Sequence, residues 1–148
     1  MKFSEFPYKR VDKDALIAKI NASVAALEAA KTFEKAEKVF LDLEAINAHA
    51  ETMFTVANIR HDINTADEFY DGEVAYADEA QPEIGEYAQK WTMAMLASPF
   101  RPDFEKKYGA LMFKNAEIEL KSFSPEIIPE LQRENALTTE YTKLIASA

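Results

Sequence analysis

Histidines and carboxylates are the side chains in this sequence that could bind a metal ion or move a proton. The chain has no cysteine and two histidines, His49 and His61. An HExxH helix binds zinc through two histidines four residues apart, and a di-iron site in a helical bundle uses Glu-x-x-His pairs. The residues three positions before the histidines are Ile46 and Asn58, so neither pattern is present. We therefore predict no metal ligand and no cofactor-binding residue in this chain.

Neighbouring acids such as Glu117 and Glu119, or Asp67 and Asp71, could in principle serve as a general acid and a general base. The chain has 26 acids, however, so pairs at short spacing arise by chance. No motif in the sequence brings a nucleophile or a perturbing group to either pair. We predict no catalytic residue among them.

The histidines and two arginines are interpreted as structural residues. His49, in the middle of a long helix, is expected to be partly exposed. His61, near a helix C-terminus, is expected to interact with the helix dipole, and Arg60 to form an ion pair across the same helix end. Arg101, between two prolines, is the best candidate for a positioned surface cation.

The composition is that of one folded helical domain spanning residues 1–148. Apolar residues make up 48% of the chain and charged residues 29%, with only 3 Gly. The absence of cysteine fits a reducing compartment, so we expect the cytoplasm. The first ten residues contain no apolar signal sequence. The longest uncharged run, residues 91–100, is too short to cross a bilayer.

The negative charge is concentrated in one window. The net charge is −9, and residues 62–89 hold nine acids and no Lys or Arg. Such a field excludes nucleic acid and an anionic membrane as partners. Two interpretations of the window stay open, a solvated acidic helix face and a surface that attracts cationic peptides.

Apolar residues recur at helical spacing along most of the chain. Asp12 and Thr32 are suitable N-caps for the first two helices, and Thr65 or Asn64 for the third. The second helix would be roughly 42 Å long and would have to pack along other long helices. We predict an all-α fold, a bundle of long antiparallel helices with five to six helical segments. The predicted helices cover about 13–30, 33–61, 66–96, 103–108, 110–123 and 125–147.

Three boundaries carry specific expectations. Pro82 predicts a kink or a division of the third helix into two. Residues 110–123 fit a helix face, although 117–121 alternate like a strand, and we predict a helix. Ser124-Pro125 is a suitable start for the last helix, whose first turn should be distorted by Pro129.

Several segments, read together, resemble the N-terminal region of the oligoendopeptidase F family of zinc metallopeptidases, in the thimet-oligopeptidase-like clan. Their order matches that family along nearly the whole chain. They are FPYKR at 6–10, IRHDINTADEFYD at 59–71, ASPFR at 97–101, KNAEIELKSFSPEI at 114–127 and ENALTTEYTKLIASA at 134–148.

The resemblance implies a function for the complete protein rather than for this chain alone. Complete members of the family are cytoplasmic enzymes that cut short peptides, with zinc held by an HExxH helix and a more distant Glu in a C-terminal catalytic domain. This chain matches none of those residues, so no catalytic or metal residue is carried over. It would wall the substrate channel, support the catalytic domain of the same polypeptide and be inert alone.

The end of the sequence adds an expectation and leaves a rival. Residues 144–148 stop in apolar helical sequence, so we expect a piece of a longer protein. Its missing part would cover exposed patches of Trp, Phe or Met. The rival hypothesis is a free-standing helical module that binds a partner helix through its acidic face or an apolar groove. Whether copies of the chain associate with one another also stays open.

Overall fold

The computed structural model describes residues 2–122 and 124–147, with the backbone alone at Ser4 and Ser122. This part of the chain is all-α and contains no strand, which confirms the predicted fold class. Short 3-10 turns lie at Phe3–Glu5 and Pro125–Ile127. The helices are α1 (Lys13–Ala29), α2 (Phe33–Ile63), α3 (Glu68–Ala97), α4 (Arg101–Tyr108), α5 (Ala110–Ser122) and α6 (Ile128–Ser147).

The N-caps of the first two helices are the predicted ones, and the third is different. Asp12 accepts a hydrogen bond from the backbone N–H of Ala15, and Thr32 accepts one from Lys35. Asp67 caps α3, because its carboxylate accepts from the backbone N–H groups of Phe69 and Tyr70. The prediction of Thr65 or Asn64 as this cap was therefore wrong.

Three long helices form the body of the fold. α1, α2 and α3 are joined by short connections and pack against one another. α4 and α5 pack on α3. Phe104 of α4 is fully buried, and the rings of Phe33 and Phe40 meet it edge-on with centroids 5.0 and 5.5 Å away. Such aromatic contacts add to the energy of apolar burial and fix α4 against α2.

Pro82 lies inside α3, which continues as one helix from Glu68 to Ala97. Of the two predicted outcomes, a kink or a division into two helices, the division was therefore wrong. Proline removes one N–H from the helical ladder but leaves the following turns free to continue. Pro82 is itself buried, so its ring contributes to the packing of α3.

The joint between α4 and α5 is Gly109, which has φ of 94° and ψ of 145°. This backbone conformation is nearly restricted to glycine. α4 begins at Arg101, two residues before the predicted start, and ends before Gly109 as predicted. Residues 110–122 are helical, so the helix is confirmed over the alternating strand, and Phe123 lies outside the described residues.

The entry to α6 is distorted as predicted. Ser124 accepts a hydrogen bond from the backbone N–H of Glu126 at 3.4 Å, and Pro125–Ile127 form a 3-10 turn. The α-helix proper begins only at Ile128, one residue before Pro129. α6 then packs on α3.

Candidate functional site

Most acids of the window at residues 62–89 bind other groups of the same chain. Glu73 of α3 is 3% exposed although it carries a charge. The guanidinium of Arg10 donates from Nε to both Glu73 oxygens, at 2.9 and 3.0 Å, and from a second nitrogen to one of them. The Tyr8 hydroxyl donates to the same carboxylate at 2.5 Å. A buried carboxylate needs such partners, and Glu73 thereby fixes the segment that contains Tyr8 and Arg10 against α3.

These contacts shift the acid–base properties of the groups involved. The hydrogen bond from Arg10 holds the pKa of Glu73 below its ordinary value, although burial acts in the opposite direction. Burial raises the pKa of Tyr8, and the adjacent Glu73 carboxylate raises it further. At neutral pH Glu73 is therefore ionised and Tyr8 is protonated, and the cluster is a structural clamp rather than a proton-transfer site.

Further contacts continue the clamp on both sides. Lys13 Nζ lies 2.5 Å from Glu83 Oε2, and the backbone N–H of Lys13 donates to the Tyr76 hydroxyl. Arg60 donates to the Tyr70 hydroxyl and to the carbonyl of Phe6, both at 2.5 Å. The predicted ion pair of Arg60 across the helix end was therefore wrong, because its partners are neutral oxygens that hold the N-terminal segment.

A second set of acids in α3 binds α6. Thr139 Oγ1 donates to Asp78 Oδ2 at 2.7 Å, and Lys143 pairs with Asp71. The Lys143 ammonium holds the pKa of Asp71 below its ordinary value, whereas burial raises that of Asp78. Both interpretations of the acidic window need correction at these positions, because the acids serve the chain's own helix.

Pro82 also helps to explain where α6 packs on α3. A helical N–H donates to the carbonyl four residues earlier, so Pro82 leaves the carbonyl of Asp78 without its donor. The side-chain amide of Asn135 donates to that oxygen at 3.3 Å. Gln132 donates to the carbonyl of Glu79 at 2.9 Å. Asn135 of α6 therefore satisfies the carbonyl that proline leaves without a helical donor, and Gln132 adds a contact to the neighbouring carbonyl.

His61 lies in the last turn of α2, as predicted, but it is 2% exposed. Its Nε2 lies 3.4 Å from Asp71 Oδ1, and its Nδ1 lies 3.7 Å from Asp62 Oδ1. A cavity of about 300 Å³ beside it is lined by polar side chains of α2, α3 and α6, including Asn58, Asp78 and Thr142. Within residues 2–122 and 124–147, no group of three or more His, Asp or Glu side chains could hold a metal ion.

The other residues singled out in the sequence are spread over the surface. His49 is exposed on α2. Arg101 is held by Glu105 at 2.7 Å and by Glu117 at 2.8 Å, so it is a positioned cation that joins α4 to α5. Of the two acid pairs, Glu117 is bound to Arg101 and the Asp67 carboxylate caps α3.

α6 exposes its apolar side. Its hydrogen-bonding side chains, at positions 132, 135, 139 and 143, face α3, and α6 has no buried residue. The opposite side carries four exposed apolar residues, which we call the outer face of α6. They are Leu137, Tyr141, Leu144 and Ile145. Of the residue types expected at the surface, Phe69 and Met93 are exposed, whereas Trp91 is buried. The outer face of α6 itself is aliphatic, with one tyrosine.

None of the helices in the described part of the chain is long and apolar enough to cross a membrane. A comparison with proteins of curated function gave no significant match.

Comparisons with families and solved structures agree with one another. Residues 3–123 match the sequence profile of the Peptidase M3 N-terminal domain. PZ peptidase A, solved with an inhibitor, superimposes with a TM-score of 0.95 at 39% identity, over 99% of this chain and 26% of that one. A Bacillus anthracis strain Ames protein assigned as an oligoendopeptidase F gives 0.96 at 36% identity, over 100% and 27%.

A further structure assigned as oligoendopeptidase F gives a TM-score of 0.96 at 37% identity, again over 100% of this chain and 26% of that one. The chain thus spans about a quarter of the length of these relatives. The resemblance to oligoendopeptidase F seen in the sequence is confirmed, and the chain belongs to the Peptidase M3 N-terminal domain family.

Proposed function

We propose that this chain is the N-terminal, non-catalytic part of an oligoendopeptidase that cuts short peptides in the cytoplasm. In that protein it walls the substrate channel and supports the catalytic part of the same polypeptide. The observation that carries the proposal is the match of essentially the whole chain, at 36–39% identity, to about a quarter of longer peptidase structures.

The proposal assigns zinc to another part of the polypeptide. M3 peptidases, as the sequence resemblance implies, use a zinc ion, but the described residues of this chain do not fit one. His61 is enclosed by Asp71 and by helix packing, and His49 stands on a different turn of α2 without carboxylate neighbours that could complete a site. The chain alone is therefore proposed to have no hydrolytic activity.

A domain replacement tests the function. The matching quarter of the Bacillus anthracis oligoendopeptidase F is replaced by this chain, and cleavage of short fluorogenic peptides is measured. The proposal expects the chimera to cleave them, to lose activity with a zinc chelator and to spare a folded protein. The isolated chain and the relative without its matching quarter are the controls. Activity of the purified isolated chain, or a folded chimera without activity, would contradict the proposal.

The rival function, an interaction module with an acidic face, is less well supported. Glu73, Glu83 and Asp71 are bound by Arg10, Lys13 and Lys143 of the same chain. Ionic groups that already have partners gain little from a cationic peptide, because the new pair only replaces an existing one. The available surface is instead the apolar outer face of α6.

A further inference from the structure

We infer that the outer face of α6 is a docking surface for the peptidase part that accompanies this domain in M3 peptidases. The inference rests on the proposed function and identifies the surface through which the domain contacts and supports the catalytic part. It concerns α6, which lies beyond the residues 3–123 that match the family profile.

The polarity of α6 is reversed relative to that of an ordinary surface helix. A helix at the surface of a monomer turns its apolar side to the core and its polar side to water. α6 instead binds α3 through Gln132, Asn135 and Thr139 and leaves its apolar side in solvent. This pattern is expected when a second protein surface covers the apolar side of the helix.

The four residues of the outer face are also extensively exposed. Leu137, Tyr141, Leu144 and Ile145 are 54%, 63%, 66% and 58% exposed. They lie on adjacent turns, at the i, i+4, i+7 and i+8 spacing of a helix-packing stripe. Single exposed apolar residues are common, but a contiguous stripe marks an interaction site.

The solved relatives indicate what could occupy this face. The solved relatives match 99–100% of this chain, so the superposition includes α6, although the family profile ends at residue 123. In those relatives about three quarters of the polypeptide lies outside the matched region. α6 follows directly on the residues that match the N-terminal-domain profile, and the occupant we infer for its outer face is an apolar surface of the polypeptide outside the matched region.

Single cysteines provide a direct test, because the chain has none of its own. Leu137→Cys and Tyr141→Cys probe the outer face of α6. Leu41→Cys on α2 is the matched control, because Leu41 is 49% exposed and lies on another helix. Each variant is prepared as the isolated chain and in the chimera with the Bacillus anthracis relative. The rate of thiol labelling is followed by mass spectrometry of the peptide that contains the new cysteine.

We expect all three cysteines to react at similar rates in the isolated chain. In the chimera, Cys at 137 and 141 should react at least roughly tenfold more slowly, whereas Cys at 41 should keep its rate, because burial removes access of the reagent. Circular dichroism and thermal unfolding of each variant verify that the fold is intact.

Equal labelling of positions 137 and 141 in both contexts, in a chimera that cleaves peptides, would overturn the inference and leave the proposed function standing. Protection in a folded but inactive chimera would support the docking surface and contradict the proposed function. Protection that appears in the isolated chain as its concentration rises would make a second copy the occupant and would overturn the inference.

Discussion

The side-chain amide of Asn135 lies 3.3 Å from the carbonyl oxygen of Asp78, the acceptor that Pro82 deprives of its helical donor. Two residues that are far apart in the sequence thus complete one backbone hydrogen-bond ladder. The contact explains how a proline can remain in the interior of a long helix, and why α6 binds α3 at this level.

The first prediction concerns the coupling between these two positions. Asn135→Ala should lower the free energy of unfolding by about 1 kcal/mol, because it leaves the Asp78 carbonyl without a donor. In a Pro82→Ala background the backbone N–H of residue 82 can donate instead, so the cost should fall toward zero. Chemical denaturation of the four proteins of the double-mutant cycle measures the coupling.

Asn115→Ala, at an exposed position of α5, is the control for this cycle. Its effect should be small and the same in both backgrounds. Additive effects of Asn135→Ala and Pro82→Ala would show that the amide does not replace the missing N–H.

The second prediction concerns the buried carboxylate. Glu73→Gln should lower the free energy of unfolding by about 2 kcal/mol, because charge-assisted bonds from Arg10 and Tyr8 are lost while the site remains buried. Glu79→Gln, an exposed acid on the same helix, should change it by less than about 0.5 kcal/mol. Equal effects in urea denaturation would contradict the role of the clamp.

The third prediction concerns pH. The pKa of Glu73 is held below its ordinary value of 4.5, so the ionised form is favoured in the folded protein. Its contribution is therefore complete above pH 4.5 and is lost as the pH falls through the depressed folded pKa. The difference in stability between wild type and Glu73→Gln should be largest near neutral pH and should shrink at about pH 3. A difference that is independent of pH would contradict the ionic contribution.

The fourth prediction compares two glycines, Gly109 with a positive φ and Gly85 inside a helix. Gly109→Ala should destabilise the protein by about 1–3 kcal/mol, because a side chain strains the backbone at a φ of 94°. Gly85→Ala, inside α3 and with no atom within 4 Å of the added Cβ, should stabilise it by about 0.5–1 kcal/mol. Thermal unfolding compares the two, and effects of the same sign would contradict the assignment of Gly109 as the joint.

The fifth prediction concerns local opening. α6 has no buried residue, whereas α2 contributes Phe40, Leu43 and Met53 to the interior. Amide hydrogens in the middle of α6 of the isolated chain should therefore exchange by local detachment, faster than those in the middle of α2. Equal protection, measured by hydrogen exchange and mass spectrometry, would mean that α6 opens only when the whole domain unfolds.

Local signals in the sequence were sufficient for much of the fold. Asp12 and Thr32 begin helices as predicted because capping depends on residues within one turn. Gly109 ends α4 for an equally local reason, its positive φ. The cap of α3 was misplaced because Asn64, Thr65 and Asp67 are all suitable caps, and only the geometry of the chain between α2 and α3 selects Asp67.

Long-range partners were not accessible in the same way. The acidic window was visible as charge, but its partners Arg10, Lys13 and Lys143 lie far away in the sequence, and charge alone does not identify them. Pro82 did carry a usable signal, since the missing N–H marks the carbonyl of Asp78 as an acceptor in need of a donor. Neither composition nor spacing indicated that α6 would supply it.

The clamp on α3 also constrains the order in which a newly made chain can fold. Tyr8, Arg10 and Lys13 take their partners from Glu73 and Glu83 of α3. During translation the N-terminal segment must therefore wait, unpaired, until residue 83 has left the ribosome. α1 and α2 can meet before that moment, but residues 8–13 are fixed only after residue 83 has emerged.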